Sequence, residues 1–166
     1  IFPISIEIIN GFYGSQTQRQ EQNYSLSEET DIPSIVIELI GSFSVSCSEK
    51  LESQFENVTS LLLKLFQFQY QNYLNQLTND LMICKSVLNC LRFFADEMTK
   101  SISPFVDTFL PTVIENLNSK MAESAADDFD TYEMIKNKLD YLSNSIIVPS
   151  IELIGDYVFS GCSSLT

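Results

Sequence analysis

Apolar side chains recur at three- and four-residue steps along most of the chain. Leu51, Phe55, Val58, Leu62, Phe66, Gln69, Tyr73 and Leu77 fall on one side of a helix. Ser46 and Glu49 precede this stripe at the spacing of a capping box, in which serine oxygen and glutamate carboxylate each satisfy a free N–H, so the pattern predicts a helix from there to about Leu77. The next segment, from about Asn79 to Lys100, carries two stripes: Leu81, Cys84, Leu88, Leu91, Ala95 and Met98 on one side, Ile83, Val87, Cys90 and Phe94 on another. A helix apolar on two sides must be covered on two sides, which places this one at the centre of a bundle.

Ser103-Pro104 opens a further helix, with proline in a first turn where its missing N–H is not needed, and Val106, Phe109, Leu110, Val113, Leu117 and Met121 form its buried side. Pro111 falls within that pattern and is expected to kink or split it. Ser124 and Asp127 offer a weaker cap for another helix, with Tyr132, Ile135, Leu139, Leu142 and Ile146 inward and Asp128, Glu133, Lys136 and Asp140 outward. It is expected to stop before Val148-Pro149, because the residue ahead of a proline is pushed out of helical angles.

The first nine residues, IFPISIEII, alternate isoleucine with other residues and read as an extended arm. Residues 11–31 are Gln- and Ser-rich without apolar periodicity and read as a polar linker. The sequence therefore predicts a mainly α protein: an arm and linker over 1–31, then a disulfide-stapled bundle of about four to six helices over 32–166.

One pattern is not explained by periodicity. Pro33-Ser34-Ile35 leads into Glu38-Leu39-Ile40-Gly41 and then Cys47, and Pro149-Ser150-Ile151 leads into Glu152-Leu153-Ile154-Gly155 and then Cys162. A fainter third copy, Pro3, Ile6, Glu7, Ile8 and Ile9 followed by Gly11-Phe12, opens the chain. Incidental likeness of proline-capped apolar segments accounts for this as well as true equivalence does, and a two-residue difference in spacing weakens the match. Equivalent copies would suit pseudo-symmetric packing, or exchange of segments between molecules.

Charge narrows the choice of partners. With Lys+Arg 9 against Asp+Glu 22 the net charge is −13, and the lysines form no cluster, so nucleic acid and anionic membranes are poor partners. Ile32 to Cys47 is interrupted by Glu38, and Leu61 to Phe66 by Lys64, which leaves no transmembrane run. Sequons at Asn23-Tyr24-Ser25 and Asn57-Val58-Thr59, a first residue other than Met and an even cysteine count point together to a secreted, extracellular protein.

Cys84 and Cys90 are six residues apart on a predicted helix, a rise of roughly 9 Å that a disulfide cannot span. The two remaining two-bridge schemes tie Cys47 and Cys162 to the central helix. Without histidine or a C-x-x-C pair, a zinc site is disfavoured.

The lack of histidine also removes the commonest general base and the Ser-His and Cys-His nucleophile systems. No glycine-rich phosphate loop occurs, and the acidic run Asp127 to Glu133 lacks the glycine and spacing of a calcium loop. The expectation is a non-enzymatic chain without a cofactor. Glu7, Glu38 and Glu152 stand inside apolar stretches; burial would couple assembly to pH, whereas exposure on an amphipathic face would not.

Phe66, Tyr70, Tyr73, Phe94 and Phe109 belong to an aromatic-rich middle that packs as core or lines a cavity for an apolar small molecule or lipid. Two functions follow. One is a secreted structural protein that forms homo-oligomers, or joins another secreted chain, through Pro3, Ile6, Glu7, Ile8, Pro33, Glu38, Leu39, Ile40, Pro149, Glu152, Leu153 and Ile154. The other is a secreted carrier of an apolar ligand.

Overall fold

The computed structural model describes residues 2–22, 30–46, 54–94, 103–125 and 132–163; within these, the side chains at 2, 44–46, 55, 94, 124–125 and 160–163 lie outside the description. The described residues are almost entirely helical. In chain order they form α1 (Phe2–Glu21), α2 (Asp31–Ser46), α3 (Phe55–Leu74), α4 (Met82–Phe94), a π-helical turn (Phe105–Phe109) running into α5 (Leu110–Ala125), α6 (Tyr132–Leu142), a second π-helical turn (Ser143–Ile147) and α7 (Val148–Ser163).

As its two stripes require, α4 lies at the centre. Ile83, Cys84, Val87, Leu88, Cys90 and Leu91 are fully buried, and α2, α3 and α7 pack around them. Both α2 and α7 run parallel to α4. Thr30 meets Asp80, Glu38 meets Ser86, and Gly41 lies against Cys90 and Phe93; on the other side Tyr141 meets Leu81, while Glu152 and Asp156 meet Arg92.

The N-terminal segment corrects the sequence reading, because residues 2–21 are helical where an extended arm and the start of a linker were expected. Alternation of Ile4, Ile6 and Ile8 is the misleading signal. Ser5, Ile9 and Gln16 are buried and Phe12 and Tyr13 half-buried, a helical spacing that turns one face toward α2 and α3. Ile9 joins the same core as α4, and Tyr13 meets Phe68 edge-on at 5.3 Å.

Helix ends also differ from expectation. Ser46 closes α2 and does not open a capping box, and Glu49 lies outside the described residues. α3 ends at Leu74, short of Leu77, because the chain turns through a Schellman closure: Leu77 N–H donates to Asn72 O at 2.9 Å and Gln76 N–H to Tyr73 O at 3.1 Å, with Gln76 at φ 60°. α4 begins at Met82, whose N–H donates to Asp80 Oδ1 at 2.8 Å. Asp80 is a junction. Its N–H donates to Thr78 Oγ1, its carbonyl accepts Gln69 Nε2 at 2.6 Å, its second carboxylate oxygen accepts the Thr30 hydroxyl, and the neighbouring Leu81 N–H donates to Tyr141 Oη at 2.8 Å.

Each π turn stands directly ahead of a proline-containing first turn. Leu110 N–H reaches back five residues to Phe105 O before Pro111, and Val148 N–H reaches Ser143 O before Pro149. A proline inside an α-helix lacks one donor and crowds the carbonyl four residues back; the wider turn relieves that crowding. Pro111 therefore produces a π turn as its form of break. The expected stop before Val148-Pro149 does not occur, and the helical run continues from Tyr132 to Ser163.

Candidate interaction surface

The two best-matched repeat segments lie in α2 and α7, on either side of α4. Their Pro-Ser-Ile portions occupy the same environment. Pro33 and Pro149 are buried, Ser34 and Ser150 are buried with hydroxyls that have no hydrogen-bond partner among the described residues, and Ile35 and Ile151 are exposed. Their Glu-Leu-Ile-Gly portions do not, because two extra residues turn a helix by about 200°. Leu39 is exposed and Ile40 buried in α2, whereas Leu153 is buried and Ile154 half-buried in α7. Gly41 faces α4 so closely that a Cβ would lie 2.7 Å from Phe93 Cδ2, while a Cβ on Gly155 would meet nothing within 4 Å. In the faint third copy Pro3, Glu7 and Ile8 are exposed and Ile6 half-buried, so Pro3 does not share the burial of Pro33 and Pro149.

A better register pairs each residue of α2 with the one 116 positions later, counting from Pro33 and Pro149. In that register Ile32 and Val148, Ile35 and Ile151, and Phe43 and Phe159 are all exposed, while Ile37 and Leu153 are both fully buried. Sequence reading followed the Glu-Leu-Ile-Gly words and missed Ile32, Phe43, Val148, Val158 and Phe159; the usable signal was helical spacing from the shared proline. The result is an outer apolar stripe on each helix: Ile32 (67% exposed), Ile35, Leu39 and Phe43 on α2, and Val148, Ile151, Val158 and Phe159 (74% exposed) on α7.

Glu7, Glu38 and Glu152 are exposed, so the burial that would have made them a pH switch is absent. Glu38 accepts from Ser86 Oγ at 3.3 Å, and Arg92 bridges Glu152 and Asp156, both at 2.7 Å. Glu38, Ser42, Asn89, Cys90, Arg92, Phe93 and Asp156 line an open recess of about 620 Å³ between α2, α4 and α7.

Neither disulfide scheme is formed among the described residues. Cys84 and Cys90 are buried free thiols, the first donating to Phe66 O at 3.7 Å, and burial pushes both well above the ordinary thiol range. Cys47 and the side chain of Cys162 lie outside the description, as does Asn23; Asn57 is exposed in the first turn of α3.

The candidate cavity residues mostly fill space with one another. Phe66 is fully buried and meets Phe105 at 5.2 Å, Phe109 at 5.9 Å and Tyr70 at 6.1 Å. Tyr70 and Phe109, with Tyr13, Phe68, Leu74 and Val113, line an open recess of about 550 Å³. Burial raises the Tyr70 phenol above its ordinary pKa, against the opposing pull of the neighbouring Asn116 side chain. Tyr73 lies at a different recess beneath Lys120 Nζ, 5.8 Å from the ring centroid, and the Phe94 side chain is outside the description.

Comparison with protein-family models, curated proteins and solved structures gives no match. The assignment therefore rests on geometry. Among the described residues no helix is long and apolar enough to cross a membrane, and no three His, Cys, Asp or Glu residues are grouped to hold a metal ion.

Proposed function

We propose that this chain is a secreted, non-catalytic protein that self-associates through the outer faces of its repeat-bearing helices. The observation that carries the reading is the pair of exposed apolar stripes on α2 and α7, flanked by the exposed acids Glu38 and Glu152, in a chain of net charge −13. Contiguous exposed apolar surface marks contact sites on soluble proteins, whereas scattered apolar residues do not. Secretion rests on the two sequons and the exposure of Asn57. Stapling through Cys84 and Cys90 would require partner sulfurs to reach two buried thiols, which a peptide map without reduction tests.

The decisive experiment is the mass in solution by light scattering across protein concentration. Growth in mass with concentration supports the reading, and a monomer throughout refutes it. Deleting residues 1–32 is a poor probe of the contact, because it removes Ile9 from the core. Point changes on the stripes are the sounder choice.

A second reading, carriage of an apolar small molecule, is favoured by the recess beside Tyr70. Its volume of about 550 Å³ lies within the range of small-molecule pockets, roughly 300–1,000 Å³, and Tyr13, Phe68, Leu74, Phe109 and Val113 give it an apolar lining. Solvent extraction of purified protein followed by mass spectrometry tests it. A stoichiometric apolar compound supports it, and its absence together with self-association favours the first reading.

A further inference from the structure

We propose that the recess between the end of α3, α5 and α6 binds a small organic anion, an apolar body carrying one oxyanion head. It is distinct from the outer stripes and from the recess beside Tyr70, and it stands or falls independently of self-association. The sign of the charge is the first observation. Acids outnumber bases 22 to 9 in the chain, yet this recess is lined by two lysines, Lys120 on α5 and Lys138 on α6, against one acid, Glu123. A concave wall concentrates the field of the charges that line it, so a locally basic recess favours an anion against the repulsion of the whole molecule.

Hydrogen-bond donors converge on the same space. Tyr73 and Tyr141 both line it, and Tyr141 and Lys138 lie close enough to the Tyr73 phenol for each to act on its ionisation. Burial raises both phenols above the ordinary 10.0, so at neutral pH each keeps a proton to donate. Tyr141 is held in place by the Leu81 N–H, which donates to its oxygen at 2.8 Å and so uses a lone pair and not the hydroxyl proton. Lys120 Nζ stands 5.8 Å over the Tyr73 ring and forms no ion pair among the described residues, so Glu123 leaves its charge available. The side-chain amides of Gln76 and Asn79 add neutral donors at the rim.

Two features that would repel an anion are muted. A helix C-terminus ordinarily presents free carbonyls, but at the end of α3 those of Gln71, Asn72 and Tyr73 accept the N–H groups of Asn75, Leu77 and Gln76. Asp80, the acid that acts on Tyr141, has one carboxylate oxygen engaged by the Thr30 hydroxyl and the other by Met82 N–H. Leu139 and Leu142 supply the apolar wall, and the volume of about 480 Å³ falls within the roughly 300–1,000 Å³ of small-molecule pockets. The head of the ligand is thus met by ammonium and phenol groups and its body by leucines.

Equilibrium dialysis of the full chain in about 0.15 M salt against 2-naphthalenesulfonate, with 2-naphthylmethylammonium as the matched cation, tests the site. The sulfonate should be held saturably and at least about 10-fold more tightly than the ammonium. Lys120→Met and Lys138→Met should each weaken it at least about 10-fold, the loss expected of one charge-assisted hydrogen bond. Lys136→Met removes the same unit of charge from α6 outside the recess and should leave binding unchanged, while Glu123→Gln should tighten it.

A sulfonate held no more tightly than the ammonium would overturn the proposal, and this comparison needs no variant to fold. An affinity that falls equally in all three lysine variants would also overturn it, because net charge then decides. So would one that falls in none of them, which places the probe elsewhere, as in the recess beside Tyr70. Circular dichroism checks that each variant is folded.

Discussion

Replacing Gly41 and Gly155 by alanine in separate variants should have unequal effects, stabilising at Gly155 and neutral to destabilising at Gly41. Each glycine lies within a helix, where alanine is preferred by about 1 kcal/mol. At Gly155 nothing lies within 4 Å of the added methyl, so the whole preference is realised, and the melting temperature should rise by about 2–4 °C. At Gly41 the methyl would sit 2.7 Å from Phe93 Cδ2 and 3.3 Å from Cys90 Cα. Phe93 is exposed enough to swing aside, but the Cys90 contact is backbone, and α2 must move from α4 by a few tenths of an ångström. Overpacking of this kind costs about 1–3 kcal/mol, so Gly41→Ala should range from neutral to about 2 kcal/mol less stable. Thermal and urea unfolding followed by circular dichroism, at a dilution where the chain is monomeric, gives the comparison. Equal stabilisation by both substitutions would refute the close approach of α2 to α4.

Phe66→Ala should cost about 3–5 kcal/mol in urea unfolding, because it empties the space between Tyr70, Phe105 and Phe109. Asp80→Ala removes the acceptor for Met82 N–H and for the Thr30 hydroxyl and should cost about 1–2 kcal/mol, whereas a loss below about 0.3 kcal/mol would contradict its capping role. Gln76→Gly should add up to about 1 kcal/mol by relieving a left-handed side chain at the end of α3. Stability should be full below about pH 9 and fall above it. Cys84 and Cys90 keep their protons when folded and lose them on unfolding near the ordinary value of 9.0, a slope of up to about 1.4 kcal/mol per pH unit for each thiol. Tyr70, Tyr73 and Tyr141, raised above 10.0, steepen the loss at higher pH. A melting temperature flat from pH 8 to 10.5, or rapid thiol labelling of the folded protein, would count against this.

The central place of α4 was legible because two stripes on one helix admit few arrangements. Helix ends were less so, since they depend on partners distant in sequence. Asp80 is held by Thr30 and Gln69, and its neighbour Leu81 by Tyr141, and no local motif announces such contacts. α1 was misread because four isoleucines in six positions suggest a strand, while the residues that decide its face include the polar Ser5 and Gln16. Of the residues singled out, the shared Pro-Ser-Ile was visible in the sequence, and its two copies have the same pattern of burial in α2 and α7. The matching Glu-Leu-Ile-Gly words were chance in structural terms, because a shift of two residues carries them to different faces.

The π turn at Ser143–Ile147 also sets the bearing of everything after it. One residue added to a regular α-helix would turn everything after it by about 100°, and the wide turn, closed by Val148 N–H on Ser143 O, takes up such a residue and keeps α7 beside Arg92. With a further residue inserted there, α7 would present Ile151 and Val158 in a new direction and carry Glu152 and Asp156 away from Arg92, with no change in any of those side chains. A codon gained between Leu142 and Val148 would thus act as a dial on which face the helix turns outward, whereas a codon lost would restore a regular turn and leave that face in place. Among related chains, length in this short stretch would be a better guide to shared assembly than identity along the helices it joins.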